Sequence, residues 1–215
     1  ANTNSKDYLQ VTEANGIHTL NWKEANSSFN NLVMNFQLEN TPLTTQNRIA
    51  NYQGEQEGEL INLQSFTGRE VKATFTLHRE AAHNNFVGFY KVDNAQGTIT
   101  DELTGQILNP GDAGYNELVV KQRLAEVDLS VGNNQSVIIK DIFKGGSLFA
   151  PFIIANGNPN NSDFSQVYTP YIMGNSDKVD HIRLLADNTF GFEDLTGGGD
   201  NDFNDIIVKA NFQVM

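Results

Sequence analysis

The sequence predicts an all-β domain, an antiparallel β-sandwich of jelly-roll type carrying one short helix, and three observations lead there. Apolar and polar residues alternate with period two in the clearest segments. About eleven candidate strands are short and are bounded by Gly, Asn, Asp or Pro clusters. A single segment, following "NPGD", shows helical spacing instead. Many short strands with regular turn punctuation favour a sandwich. At 215 residues the expected organisation is one domain spanning 1–215, since β-rich domains reach this size.

Taken in order, "GIHTLNW" and "NLVMNFQL" are the first candidate strands. In the second, Leu32, Met34, Phe36 and Leu38 share one face, the mark of a half-buried strand. The Asn/Gln/Gly-rich stretch "TTQNRIANYQGEQEGE", 44–59, reads as a mobile loop or a subdomain seam. "ELINLQ" follows, then "VKATFTLH", which sets Val71, Ala73, Phe75 and Leu77 against Lys72, Thr74, Thr76 and His78. After "FVGFYKV", Asp112 can cap a helix over "AGYNELVVKQRL", whose stripe of Tyr115, Leu118, Val119 and Gln122 would pack on the sandwich. "SVIIK", "LFAPFIIA", "VYTPYI", "HIRLLA", "TFGFE" and "IIVKANF" complete the strands, with Asp187-Asn188 as a hairpin turn.

Composition narrows the function. Lys and Arg total 14 against 26 Asp and Glu, a formal charge of −12 that repels nucleic acid and anionic membranes. Neither nucleic-acid binding nor membrane insertion is expected, and no 18-residue apolar run is present. The absence of cysteine removes disulfides, thiolate nucleophiles and Cys-based zinc sites. The opening "ANTNSKDYLQ" has neither a basic nor an apolar leader region, so the chain reads as a mature start or as part of a larger polypeptide.

Charge is concentrated in "FGFEDLTGGGDNDFNDIIV". Glu193, Asp194, Asp200, Asp202 and Asp205 surround Gly197, Gly198 and Gly199. Carboxylates about 4 Å apart repel by roughly 1 kcal/mol in water and by more near a protein surface, so such a hairpin would splay. A hard cation reverses the sign. Asp200, Asp202 and Asn204 alternate and project from one side of an extended chain, and a curl at the glycines lets Glu193, Asp194 and Asp205 converge on the same point. Calcium wants about six to eight oxygens of this kind at roughly 2.3–2.6 Å in a flexible geometry. Folding of the tip and metal binding would then be one event. The EF-hand pattern is met only in its first three ligand positions: no Gly follows Asn204, and Asn211 stands where the closing Glu belongs. The expectation is therefore a calcium-stabilised loop between strands. Upstream, "GNSDKVDHI" adds Asp177 and Asp180 beside Asn175, as a second calcium site, as further ligands to the first, or as an ordinary Asn-Ser-Asp turn with a solvated Asp180.

Catalytic patterns are lacking. "HREAAH" places His78 and His83 five apart after an alternating strand, whereas a zinc-protease helix needs them four apart. Glu80 and His83 read as part of a turn, and His18 and His181 as ordinary hydrogen-bonded side chains. "KGGSLF" is no nucleophile elbow, and the three glycines precede no Lys-Ser or Lys-Thr. Paired acids can hydrolyse glycosides, but acids packed around a cation are held ionised, the wrong state for a proton donor. The expectation is a protein that is not an enzyme.

The segment "NSDKVDHIRLLADNTFGFEDLTGGGDNDFNDIIV", with "REAAHNNFVGFYKV", "LTGQILNPGDAGY" and "APFIIANG", resembles a bacterial family catalogued only as a domain of unknown function. That family occurs in large exported, calcium-dependent, adhesin-like proteins, and the resemblance covers about residues 60–212. It implies a calcium-bound β-sandwich near the ligand-binding end of such a protein, secreted or at the cell surface. Carried over by position, Asp177, Asp180, Glu193, Asp194, Asp200, Asp202 and Asp205 are the implied metal ligands, with Asn204 contributing. The expected function is adhesion, an exposed calcium accepting oxygens from an extracellular glycan or a peptide terminus. A rim for that ligand is drawn from Asn156, Asn158 and Asp163 in "NGNPNNSD" and from Gly197, Gly198 and Gly199. The alternatives are a spacer that calcium merely rigidifies and a carbohydrate-active hydrolase.

Overall fold

A computed structural model describes residues 9–14, 17–23, 32–37, 59–160 and 163–215. The chain divides into two compact units, Ala1–Thr45 and Gln46–Met215, where the sequence suggested one domain over 1–215. The division falls inside the 44–59 stretch, read from the sequence as a mobile loop or subdomain seam and not as a domain boundary; nearly all of it lies outside the described residues. In the first unit β1 (Leu9–Ala14), β2 (Ile17–Trp22) and β3 (Leu32–Gln37) form an antiparallel sheet in that order. β1 escaped the alternation reading; its register runs from Leu9↔Trp22 to Ala14↔Ile17. Met34, expected on a half-buried face, is exposed, as is its neighbour Val33.

The second unit is the sandwich. Its elements are β4 (Ile61–Asn62), β5 (Glu70–Arg79), β6 (Phe86–Val92), β7 (Ile99–Thr100), β8 (Ile107–Leu108), α1 (Tyr115–Lys121), β9 (Gln135–Lys144), β10 (Leu148–Ile154), β11 (Val167–Tyr168), β12 (Ile182–Ala186), β13 (Thr189–Phe192) and β14 (Ile206–Val214). One sheet has the order β12-β13-β14-β5-β9, all antiparallel. In the other, β10 pairs along one edge with β6, and β4 and β11 share its opposite edge at the two ends. Pro151, which has no N–H to give, sits opposite the gap between β4 and β11, where no ladder bond is needed.

β5 alternates as its sequence demands, with Val71, Ala73, Phe75 and Leu77 buried and their neighbours turned away. These meet Phe190 and Phe192 from β13, the inward residues of β14, and Val87 and Phe89 from β6 in one core. Phe75 lies at its centre, its ring 5.4 Å from Phe89, 6.0 Å from Phe143 and 6.4 Å from Phe212. β6 and β10 do not alternate, because the smaller sheet is covered on both faces. Its outer residues, including Phe86, Tyr90, Phe152 and Ile154, form a second core with α1 and the β7–β8 hairpin.

The expected helix forms over seven residues and buries Tyr115, Leu118, Val119 and Val120. Asp112 does not cap it: its carboxylate accepts from the Asn109 backbone N–H at 2.7 Å, and the cap position is Gly114 at φ 86°. Gln122, placed on the buried stripe by its spacing, instead ties the helix end to the hairpin region, donating to the Thr100 carbonyl and accepting from the Glu102 N–H, both at 3.0 Å. The Tyr90 and Tyr115 hydroxyls meet at 3.2 Å inside this core. Among the described residues no helix is long and apolar enough to cross a membrane.

Candidate metal centre

The acidic segment joins the inner strands β13 and β14 of the larger sheet. Phe190 and Phe192 on one side and Phe203, Ile206 and Val208 on the other are buried, so both ends of the loop are fixed by the core. Between them the backbone is forced into unusual shapes. Gly197, Gly198 and Gly199 have φ of 85°, 81° and 54°, and Asn201 and Phe203 follow at 61° and 57°. Positive φ is costly for a side chain as large as Phe, and such strain gathers at functional sites. At Gly199 a Cβ would also lie 2.4 Å from the Glu193 carboxylate, so any larger residue would displace Glu193 as well as adopt a strained φ.

Within this loop Glu193, Asp200 and Asp202 each offer an oxygen within 4.8 Å of the others. Glu193 is buried, while Asp200 and Asp202 are exposed. Glu193 accepts from the Phe203 backbone N–H at 2.7 Å, a bond that the positive φ of Phe203 accompanies. Asn204 supports Asp202, giving it both its backbone N–H, at 3.1 Å, and its amide N–H. Three carboxylates on one side of a glycine turn can hold a divalent cation.

The remaining expected ligands do not converge on that point. Asp194 is buried and turns toward Asn85, which donates to it at 2.6 Å, and toward His83 at 3.5 Å. Asp205 accepts from the Asp194 backbone N–H at 2.8 Å. Asp177 accepts from the Gly197 N–H at 2.7 Å and from His181 Nε2 at 2.9 Å, so it anchors the glycine turn. Asp180 is held by Arg183 at 3.1 Å, and Arg183 lies over the Phe203 ring at 3.8 Å. Convergence of all the acids, expected from spacing, gives way to a group of three flanked by positioning carboxylates. Of the expected ligand rim, Asn156 and Asn158 line a surface cleft. Asp163 caps the short 3₁₀ turn Phe164–Gln166, and Gly197 to Gly199 stay with the acidic loop.

His181, read from the sequence as an ordinary hydrogen-bonded side chain, is hydrogen-bonded and organises the loop, which its sequence context did not signal. It is fully buried and stacks on Tyr168 at 3.6 Å and 6°. Its Nδ1 donates to the Glu193 carbonyl at 3.0 Å, and its Nε2 is hydrogen-bonded to the Asp177 carboxylate at 2.9 Å. One ring thus fixes both arms of the loop. Asn85 is an omission, and nothing in "AAHNNF" distinguishes it from its neighbour.

Without a cation Glu193 and Asp205 resist ionisation. Burial, with added repulsion from Asp200 and Asp202, raises Glu193 despite the Phe203 hydrogen bond. Burial and the charges of Asp194 and Glu193 push Asp205 up to about 6. At Asp177 burial opposes the charge, but the bonds from Gly197, His181 and Val179 prevail and hold it below the usual range. The signs differ. The stability owed to Asp205 is complete below its unfolded value of 3.8 and is lost as pH rises through about 6. The stability owed to Asp177 is present above its unfolded value and is lost as pH falls through its lowered one. Asp205→Asn, melted in chelator, should therefore exceed the parent in Tm at pH 7 and lose the decline between about pH 4 and 6. Parallel melting-versus-pH curves for the two proteins would contradict this.

A family described as "Domain of unknown function (DUF4114)" matches residues 143–213, from the end of β9 through most of β14, and takes in every acidic residue expected to be a metal ligand. The match is shorter than the resemblance over 60–212 suggested by the motifs. No curated protein and no solved structure matches the chain.

Proposed function

We propose that the chain is a calcium-dependent ligand-binding module of a secreted or cell-surface bacterial protein, serving adhesion rather than catalysis. The observation that carries the reading is the uneven burial of the three acids: Glu193 is buried and Asp200 and Asp202 are exposed. A calcium held by them has one side against protein and the other toward solvent, and three carboxylates leave part of its six to eight oxygen positions to water. Hydroxyls of an extracellular glycan or a peptide's terminal carboxylate are suitable replacements for that water. Calcium also gives a surface of charge −12 a means of holding an oxygen-rich or anionic partner. A rigid spacer would close its calcium with protein oxygens, and the exposure of Asp200 and Asp202 favours the open arrangement.

A glycan and peptide array probed in calcium and again in chelator tests the proposal. Spots that require calcium, and that Asp200→Asn removes, are the expected result. A blank array with calcium-loaded protein would overturn the binding role and leave the spacer.

A further inference from the structure

The core-facing positions of β5 are Val71, Ala73, Phe75, Leu77 and Arg79. The last places a guanidinium, 5% exposed, at the end of an apolar stripe. Its Nη1 donates to the Val131 carbonyl at 2.9 Å, and both Nη atoms reach the Asn84 amide oxygen at 3.3 Å. Nε has no partner. Among the described residues no carboxylate pairs with Arg79. A buried cation without a counter-charge is among the most costly arrangements in a folded protein.

Arg79 lines a cleft of about 710 Å³, a size suited to a small organic ligand. Arg123 lines it too and gives its Nη1 to the Val120 carbonyl at 3.1 Å, again a neutral acceptor. The rim is rich in amides, from Asn84 and from the exposed Asn156 and Asn158. Asp128 also borders the cleft, as an exposed side chain accepting from the Ser130 hydroxyl at 2.9 Å. Buried Asn85 fixes the rim, accepting from the Asn156 backbone N–H at 3.0 Å while donating to Asp194.

We infer that this cleft binds a carboxylated saccharide, a uronate-bearing glycan segment. The sugar carboxylate supplies the charge that Arg79 and Arg123 lack, in the charge-assisted geometry guanidinium favours. The amides, each both donor and acceptor, meet the hydroxyls. A peptide terminus is less suited, because the lining is more polar than apolar and its apolar members, Phe86, Ala125, Val131 and Pro159, are outnumbered by Arg, Asn, Asp and Ser. The inference adds an anion contact to the module proposed above and does not depend on the cation.

The test is calorimetric titration of the full chain, in calcium and in chelator. The probes are an oligogalacturonate, its carboxyl-reduced neutral counterpart, and a short peptide with a free terminal carboxylate. The acidic sugar should bind in both media, with the neutral sugar and the Arg123→Gln variant each weaker by about tenfold or more. Arg79→Gln should match Arg123→Gln if it melts cooperatively; if it does not fold, Arg123→Gln and Asn158→Ala decide, the latter weakening binding a few-fold. Equal affinity for the neutral sugar, unchanged affinity in Arg123→Gln, a peptide that binds as tightly as the uronate, or no uronate binding would each overturn the inference. Binding that disappears in chelator and in Asp200→Asn but survives Arg123→Gln would assign the sugar to the cation, retaining the function proposed above and ending the role of the cleft.

Discussion

Chelation is expected to lower the melting temperature of this protein by about 5 to 10 °C relative to calcium at a hundredfold excess over its dissociation constant. An ion bound only by the folded state adds about 2.7 kcal/mol under that condition, and a domain of this size shifts by roughly 2–4 °C per kcal/mol. Glu193→Gln should abolish most of the difference, because Glu193 is the buried member of the triad and already accepts from Phe203. Magnesium should replace calcium poorly, since it keeps its water and demands a stricter geometry. Coincident melting curves in calcium and chelator would remove the basis for a metal at this loop.

His181→Phe is expected to destabilise the fold by about 1–3 kcal/mol, the cost of leaving a buried carbonyl without its donor and a partly buried carboxylate with one donor fewer. Phenylalanine can keep the volume and the stacking on Tyr168, so the loss isolates the two hydrogen bonds to Glu193 and Asp177. The same change should weaken calcium binding, because Asp177 would no longer be oriented to hold the Gly197 N–H. Denaturant unfolding and a calcium titration of the variant measure the two effects. Unaltered calcium affinity would show that the glycine turn holds its shape without this anchor.

Much of the fold could be read from side-chain alternation. β5 puts inward the four apolar residues its pattern requires, and Asp187-Asn188 is the turn between β12 and β13, with Asn188 at φ 52°. β6 and β10 were legible as apolar runs, although their double coverage depends on α1 and the β7–β8 hairpin. That hairpin has strands of two residues each, too short for any period to register. β1 was missed although Asn15-Gly16, a dipeptide favoured in two-residue hairpins, separates it from β2. At the site, crowding of acids was plain from composition. Their division was not, because it is decided by His181, Asn85 and Arg183, which reach Glu193, Asp194 and Phe203 across strands or around the loop.

β14 begins immediately after the acidic loop and runs unbroken from Ile206 to Val214, laddered to β5 over its whole length and to β13 over its first part. A tensile load between something gripped at that loop and the carboxyl-terminal end of the unit would pass along a single covalent strand. The flanking ladders would carry little of it, so the load could be borne with no ladder bond broken. Mechanical strength is thus already present in the connectivity between the loop and the strand that follows it.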